Sequence, residues 1–133
     1  MKTLIADDEF FPRMLLKELL SPYGICDTVS DGEEAILAFK LAWEKKQPYD
    51  LICLDIMMPK MDGHETVSTI RKLEKEMGIN KPSQEVKVIM TTAFSDPHNS
   101  VKALYKGGAT SYLVKPINQE KILWELKSLK LLK

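Results

Sequence analysis

Asp7, Asp8, Asp55, Thr92 and Lys115 are the residues whose types could do chemistry together, because each closes a short apolar run. Asp7-Asp8 follow Thr3-Leu4-Ile5-Ala6, and Asp55 follows Leu51-Ile52-Cys53-Leu54. Thr92 ends the run that starts at Val86, and Lys115 follows Tyr112-Leu113-Val114. Carboxylates crowded into one place repel unless a cation or a proton relieves them. An oxygen-rich cluster without histidine or cysteine selects a hard cation, and Mg2+ keeps several waters beside one or two carboxylates. Asp55 is the acid expected to do covalent work, as a nucleophile on phosphorus that gives an acyl phosphate. A metal and Lys115 would neutralise the phosphoryl oxygens, while Thr92 offers a hydroxyl to one of them. Singly, each residue has a plainer role: acids cap helices, threonine is common in strands, and a lysine before proline is solvated. Five of them at one edge of a sheet are poorly explained that way.

That edge exists only if the segments between the runs return the chain each time to the same side. Pro12 suits a first helical turn, and Met14, Leu15, Leu16, Leu19 and Leu20 keep a helical period up to Ser21-Pro22-Tyr23-Gly24. Phe10-Phe11 is expected to anchor this helix in the core. Residues 26–29 read as a second strand. Ser30 or Asp31 can cap a helix over 33–46 with Ala35, Ile36, Phe39 and Trp43 on its inner stripe. The unbroken run before Asp55 has the pattern of a strand covered on both faces. A helix over 64–77 is stopped by Gly78, and 78–85 is a polar connector. A shorter helix follows Asp96-Pro97 and ends at Gly107-Gly108, and Asn118 caps a final helix. Five strand-then-helix units predict an α/β fold: a doubly wound, five-stranded parallel sheet of order 2-1-3-4-5, flavodoxin-like, with helices on both faces. Ligands of such sheets bind outside the carboxyl ends of the strands, where these five residues stand.

Composition narrows the field of functions. The 133 residues are expected to form a single domain over 1–133, with 44% hydrophobic and 29% charged residues. No apolar run approaches the ~18 residues of a membrane span. Met1-Lys2-Thr3-Leu4-Ile5-Ala6 turns acidic at once, unlike a secretory signal, so a cytoplasmic protein without membrane insertion is expected. Cys26 and Cys53 are too few and too far apart for a disulfide scaffold or a four-ligand zinc site, and both read as buried thiols. Nineteen basic and nineteen acidic residues cancel, which argues against a direct nucleic-acid binder. The balance is uneven, however: residues 1–65 carry a net −6 and residues 66–133 a net +6. An acidic site and a basic face are expected on one small body.

The ordered set resembles the receiver domain of two-component response regulators over essentially the whole chain. The resemblance rests on Asp7-Asp8, on Leu54-Asp55-Ile56-Met57-Met58-Pro59 with Met61-Asp62-Gly63, on Thr92-Ala93 and on Lys115-Pro116. It implies that Asp55 is the phosphoacceptor, Asp8 a direct Mg2+ ligand, Asp7 a water-mediated one, and the Met57 backbone carbonyl a third protein ligand. Mn2+ could take the place of Mg2+. Thr92 and Lys115 match the phosphate-contacting hydroxyl and amine, Tyr112 the switch aromatic, and Lys115–Pro116 a cis bond. The resemblance further implies a donor, either a sensor histidine kinase or a histidine phosphotransfer protein. It also implies a surface that changes on phosphorylation, made by the helix after strand four, strand five and the final helix. That surface would receive a downstream protein target or a second copy of the chain.

On a helical wheel, Ile122, Leu126 and Leu129 of the final helix face the sheet, whereas Trp124 and Leu131 fall opposite among Lys121, Lys127 and Ser128. An outward tryptophan beside lysines, with Lys102 and Lys106 near the same face, suits docking of an acidic partner. His64 and His98 read as ordinary surface histidines. From another class of function, a haloacid-dehalogenase-type aspartyl-phosphate phosphatase would share the α/β plan. It needs a second acid two residues after its nucleophile, where this chain has Met57. No glycine-rich phosphate loop follows any strand, which disfavours a nucleotide site.

Receivers vary at the second residue after the phosphoacceptor and the second after the switch threonine, here Met57 and Phe94. Both are bulky and apolar, so neither can position an attacking water. The phosphate on Asp55 is therefore expected to persist, and the double substitution Met57→Asn, Phe94→Glu to shorten its life. Decay of the isolated phosphoprotein measures this, and an unchanged lifetime would count against it.

Overall fold

The apolar runs become the strands of one sheet in a computed structural model that describes residues 1–93 and 108–132. These strands are β1 (Lys2–Ala6), β2 (Ile25–Val29), β3 (Leu51–Asp55), β4 (Lys87–Thr92) and β5 (Ser111–Val114), all parallel in the order β2-β1-β3-β4-β5. Every residue of β3 is buried, as its unbroken apolar run requires for a central strand. Helices α1 (Phe10–Leu20), α2 (Gly32–Glu44) and α3 (Gly63–Glu76) and the final helix, Gln119–Ser128, cover it. Leu16 and Leu20 of α1 and Ile122 and Leu126 of the final helix pack with Ile5, Cys53 and Ile89 on one face. Ala35 and Phe39 of α2 and Val67 and Ile70 of α3 pack with Leu4, Ile52, Leu54, Val88 and Met90 on the other. Full burial of each larger side chain contributes about 1.5–3 kcal/mol. The segment expected to hold the helix after Asp96-Pro97 lies outside the described residues, as do Phe94, His98, Lys102 and Lys106.

The caps follow from short polar side chains. Asp31, Asp62 and Asn118 each accept a hydrogen bond from the amide three residues on, at 2.8 Å. Glu34 reaches back to the amide and hydroxyl of Ser30, both at 2.7 Å, so Ser30 and Asp31 share the start of α2. Three helices end in one device: Lys46, Gly78 and Lys130 take positive φ, and the next amide returns to the helix.

That device overturns one expectation about the final helix. Leu131 does not continue the wheel beside Trp124. The chain reverses at Lys130 (φ 62°), the Leu131 amide bonds the Leu126 carbonyl, and Leu131 packs against the core. Phe10 and Phe11 do not anchor α1 either, being 59% and 82% exposed. The helix begins only at Phe10, so its first turn stands above the sheet edge before the chain descends to Leu16. Cys53 is buried, but Cys26 is only partly so, because β2 is an edge strand. His64 is buried at 6% exposure rather than on the surface. It follows Gly63, where α3 starts against the end of β3; a Cβ on Gly63 would meet the Asp55 carbonyl oxygen at 2.7 Å.

At the opposite end of the sheet a buried ion pair ties three elements together. Arg71 bonds Glu74 at 2.7 Å, the Val86 carbonyl at 2.8 Å and the Gly108 carbonyl at 2.9 Å. The second oxygen of Glu74 accepts the Val86 amide at 2.8 Å. Removing one partner leaves the other charge buried and uncompensated. Glu74→Ala is therefore expected to cost about 3 kcal/mol in urea unfolding at neutral pH. A loss below about 1 kcal/mol, the scale of an exposed pair, would show that the network adds little.

Candidate functional site

The register brings the strand-end residues together. Ala6 is level with Leu54, Asp55 with Thr91, and Thr92 with Val114, so the positions that follow share one edge. Asp7 is fully buried and Asp55 is 3% exposed, whereas Asp8 and Glu9 are exposed. One carboxylate oxygen from each of these four acids lies within 4.8 Å of the others. Lys115 Nζ is 3.0 Å from Asp7 Oδ2 and 3.6 Å from Asp55 Oδ2. The remaining oxygens are also held: Asp7 Oδ1 accepts the Glu9 amide at 2.9 Å, and Asp55 Oδ1 the Met57 amide at 3.2 Å.

Local chemistry explains the placement of each group. The Lys115–Pro116 bond is cis, and the Lys115 amide donates to the Thr92 carbonyl at 2.7 Å, which carries β5 pairing up to the lysine. Arg13, one turn into α1, donates to the Asp7 carbonyl at 2.8 Å. Gly63 lets α3 start against Asp55, and its amide bonds the Ile56 carbonyl at 3.0 Å, closing the intervening loop next to the end of β3. Thr92 is buried at the same edge, at 2% exposure. Tyr112 is half-buried on the face covered by α2 and α3.

Four carboxylates around one ammonium leave an excess of negative charge. Burial pushes the Asp55 carboxyl up to about 6; Lys115 pulls it back, Asp7 and Asp8 push it further, and the Met57 amide lowers it. Burial alone would pull Lys115 down, but its hydrogen bond to Asp7 and the charges of Asp55, Asp7 and Glu9 hold it above its ordinary value. All the side-chain donors in this cluster are carboxylate oxygens, a set that fits a hard divalent cation.

The structure thus brings together Asp7, Asp8, Asp55, Thr92 and Lys115, with Met57 beside Asp55 and its side chain 62% exposed. Glu9 belongs to the same cluster and went unread in the sequence, although it directly follows the acidic pair. Arg13 was missed too; an isolated arginine at helical spacing carries no signal of a bond to a main-chain oxygen. On the expected partner surface, Trp124 is 68% exposed and borders a shallow groove with Leu113, Glu120, Lys121 and Glu125. Lys127 is exposed, but Lys121 Nζ is already given to the Val114 and Pro116 carbonyls, at 3.2 and 2.9 Å. A larger apolar groove of about 560 Å³ runs between α1 and the Lys115-Pro116-Ile117 turn, edged by Phe11, Pro12 and Leu15.

Residues 3–127 match the family model described as the response regulator receiver domain. A probable transcriptional regulator, ycf27, of Cyanophora paradoxa is 34% identical over 129 residues, which cover 96% of this chain and 47% of that protein. The chain thus spans about half the length of this curated relative. A crystal structure of the CheX–CheY–BeF3–Mg2+ complex from Borrelia burgdorferi matches with a TM-score of 0.82 and 31% identity, covering all of this chain and 90% of that one. The receiver domain of Ssk1, in a co-crystal with the histidine phosphotransfer protein Ypd1 of Saccharomyces cerevisiae, also gives 0.82. Its identity is 25%, over 97% of this chain and 88% of the matched one.

A carboxyl whose folded pKa is raised lowers stability once it ionises. In the metal-free protein the Asp55 charge is destabilising above pH 6, and this penalty fades between pH 6 and 4 as the folded chain takes up the proton. Asp55→Asn is expected to raise stability in EDTA by about 2 kcal/mol at pH 8 and by only a few tenths at pH 4. Urea unfolding at both pH values checks this, and an equal difference at the two would refute it.

Proposed function

The chain belongs to the response regulator receiver domain family, the signalling switches of two-component systems, and we propose how its own residues perform the switch. Asp55 accepts a phosphoryl group from a phosphohistidine on a sensor histidine kinase or a histidine phosphotransfer protein. The donor's N–P bond breaks as a P–O bond to the Asp55 carboxylate forms. The observation that carries this reading is Lys115 Nζ, 3.0 Å from Asp7 and 3.6 Å from Asp55, inside a cluster of acids.

Asp7, Asp8, Asp55 and the Met57 main-chain carbonyl would hold Mg2+, and Mn2+ suits the same oxygens. When bound, the metal offsets the charge of the carboxylates and of the phosphoryl oxygens. Lys115 pairs with a phosphoryl oxygen, and the Thr92 hydroxyl donates to another. Movement of Thr92 toward the phosphoryl group makes room for Tyr112 to turn inward. That rearranges the face containing β5 and the final helix, a two-state equilibrium biased by a local charge. Trp124 and Lys127 are exposed on that face and would be available to a downstream protein or a second copy, whereas Lys121 is engaged with the main chain. The apolar groove along α1 is lined in part by Lys115, so it adjoins the site that the donor would have to reach. The chain's action is placed in the cytoplasm as part of this proposal; separately, among the described residues no helix is long and apolar enough to cross a membrane.

A small phosphodonor tests the reading without the partner. Incubation with Mg2+ and acetyl phosphate is expected to add one phosphoryl mass to the intact protein, and Asp55→Ala to abolish the adduct. Lys115→Ala is expected to slow labelling. An adduct that survives in Asp55→Ala would place the acceptor elsewhere.

A further inference from the structure

The loop that follows Asp55 holds three methionines, Met57, Met58 and Met61, and the fold treats them unequally. Ile56 and Met58 pack the loop into the core at 3% and 7% exposure, and Met61 is partly buried. Met57 is 62% exposed, so its thioether gains little from burial. It is the most exposed of the seven methionines: Met14 and Met77 stand at 37% and 41%, Met1 is partly buried and Met90 fully so. A second observation fixes where this sulfur-bearing residue stands. The Met57 amide donates to Asp55 Oδ1 at 3.2 Å, which anchors the residue beside the carboxylate. Met14 lies on α1 instead, and Met77 closes α3. The methionine most open to a dissolved oxidant is thus the one tied to the phosphoacceptor.

We infer that Met57 is a modification site for a hydroperoxide, whose oxygen turns the thioether into a sulfoxide and shortens the life of the phosphate on Asp55. The inference rests on Asp55 as the phosphoacceptor. With hydrogen peroxide, the sulfur lone pair forms an S–O bond as the O–O bond breaks. The sulfur loses two electrons, and the second oxygen leaves with both hydrogens as water. The unmodified side chain is apolar and cannot hold a water for attack on the acyl phosphate. The sulfoxide is polar, and its oxygen accepts a hydrogen bond from such a water. The water oxygen then bonds to phosphorus as the P–O bond to Asp55 breaks, the carboxylate is restored, and inorganic phosphate carries off the protons. Methionine sulfoxide is reduced enzymatically back to the thioether, so the change is reversible.

Peroxide treatment of the full chain, quenched with catalase, tests this in two readouts. Peptide mapping by mass is expected to find the first added oxygen on Met57, ahead of Met14 and Met77. The chain is then labelled with Mg2+ and acetyl phosphate, and the donor is removed. The oxidised protein is expected to lose its phosphoryl mass roughly threefold faster than the untreated one, the scale of one hydrogen bond to the attacking water. Treated and untreated Met57→Leu should decay alike, whereas Met57→Gln, with a permanent acceptor, should decay faster than the parent without peroxide. Oxygen uptake at Met14 or Met77 before Met57 overturns the inference. Decay unchanged by oxidation, or an acceleration that persists in Met57→Leu, overturns it too. These results leave Asp55 standing as the acceptor. A parent chain that takes up no phosphoryl group defeats the reading of Asp55, and this inference with it.

Discussion

An excess of negative charge packed at the ends of two adjacent strands is the constraint around which the rest is arranged. Asp7 and Asp55 are both buried, and they are neighbours because β1 and β3 are neighbours. Water cannot solvate them freely, so the protein answers with fixed donors: the Glu9 and Met57 amides and the Lys115 ammonium. The answer is partial, as the raised Asp55 pKa shows. A site left short of positive charge is primed for a cation, and it then has room to accommodate the charge of a phosphoryl group.

The fold supplies this arrangement by bringing the chain back to the same edge after every helix. Parallel order places all five strand ends on one side. Gly63 lets α3 begin close to the Asp55 main chain, and the cis bond after Lys115 ends β5 next to Thr92. The far end is held differently. There Arg71 and Glu74 fasten α3 to the start of β4 and to Gly108, and the two charges pair with each other. One end of the sheet is thus electrostatically strained and the other electrostatically satisfied, which fits rearrangement at the first and constancy at the second.

Much of this was legible in the residues alone. Unbroken apolar runs identify buried parallel strands, and the residue after each run identifies the edge, so Asp7, Asp8, Asp55, Thr92 and Lys115 could be read together. The pattern is less informative where tertiary context decides. Phe10 and Phe11 have core chemistry but sit in a helical turn above the sheet. Leu131 follows the wheel only if the helix continues, and a left-handed residue ends it first. His64 is polar yet covered by the close packing that Gly63 permits. Cys26 lies in an apolar stretch whose strand is at the sheet's margin. Glu9 is the instructive omission: adjacency to Asp8 was visible, but only three-dimensional distance separates a helix-capping acid from a member of the cluster.

The helix termini have an implication for engineering. Of the three helix-end reversals built on positive φ among the described residues, one uses glycine; lysines occupy the other two, at Lys46 and Lys130. A left-handed backbone in an L-residue carries roughly 1–2 kcal/mol of strain, which glycine escapes. Both lysines lie outside the acidic cluster and are exposed. Thermal robustness and signalling output are thus separable traits in this molecule, with a reserve of the former at two surface corners.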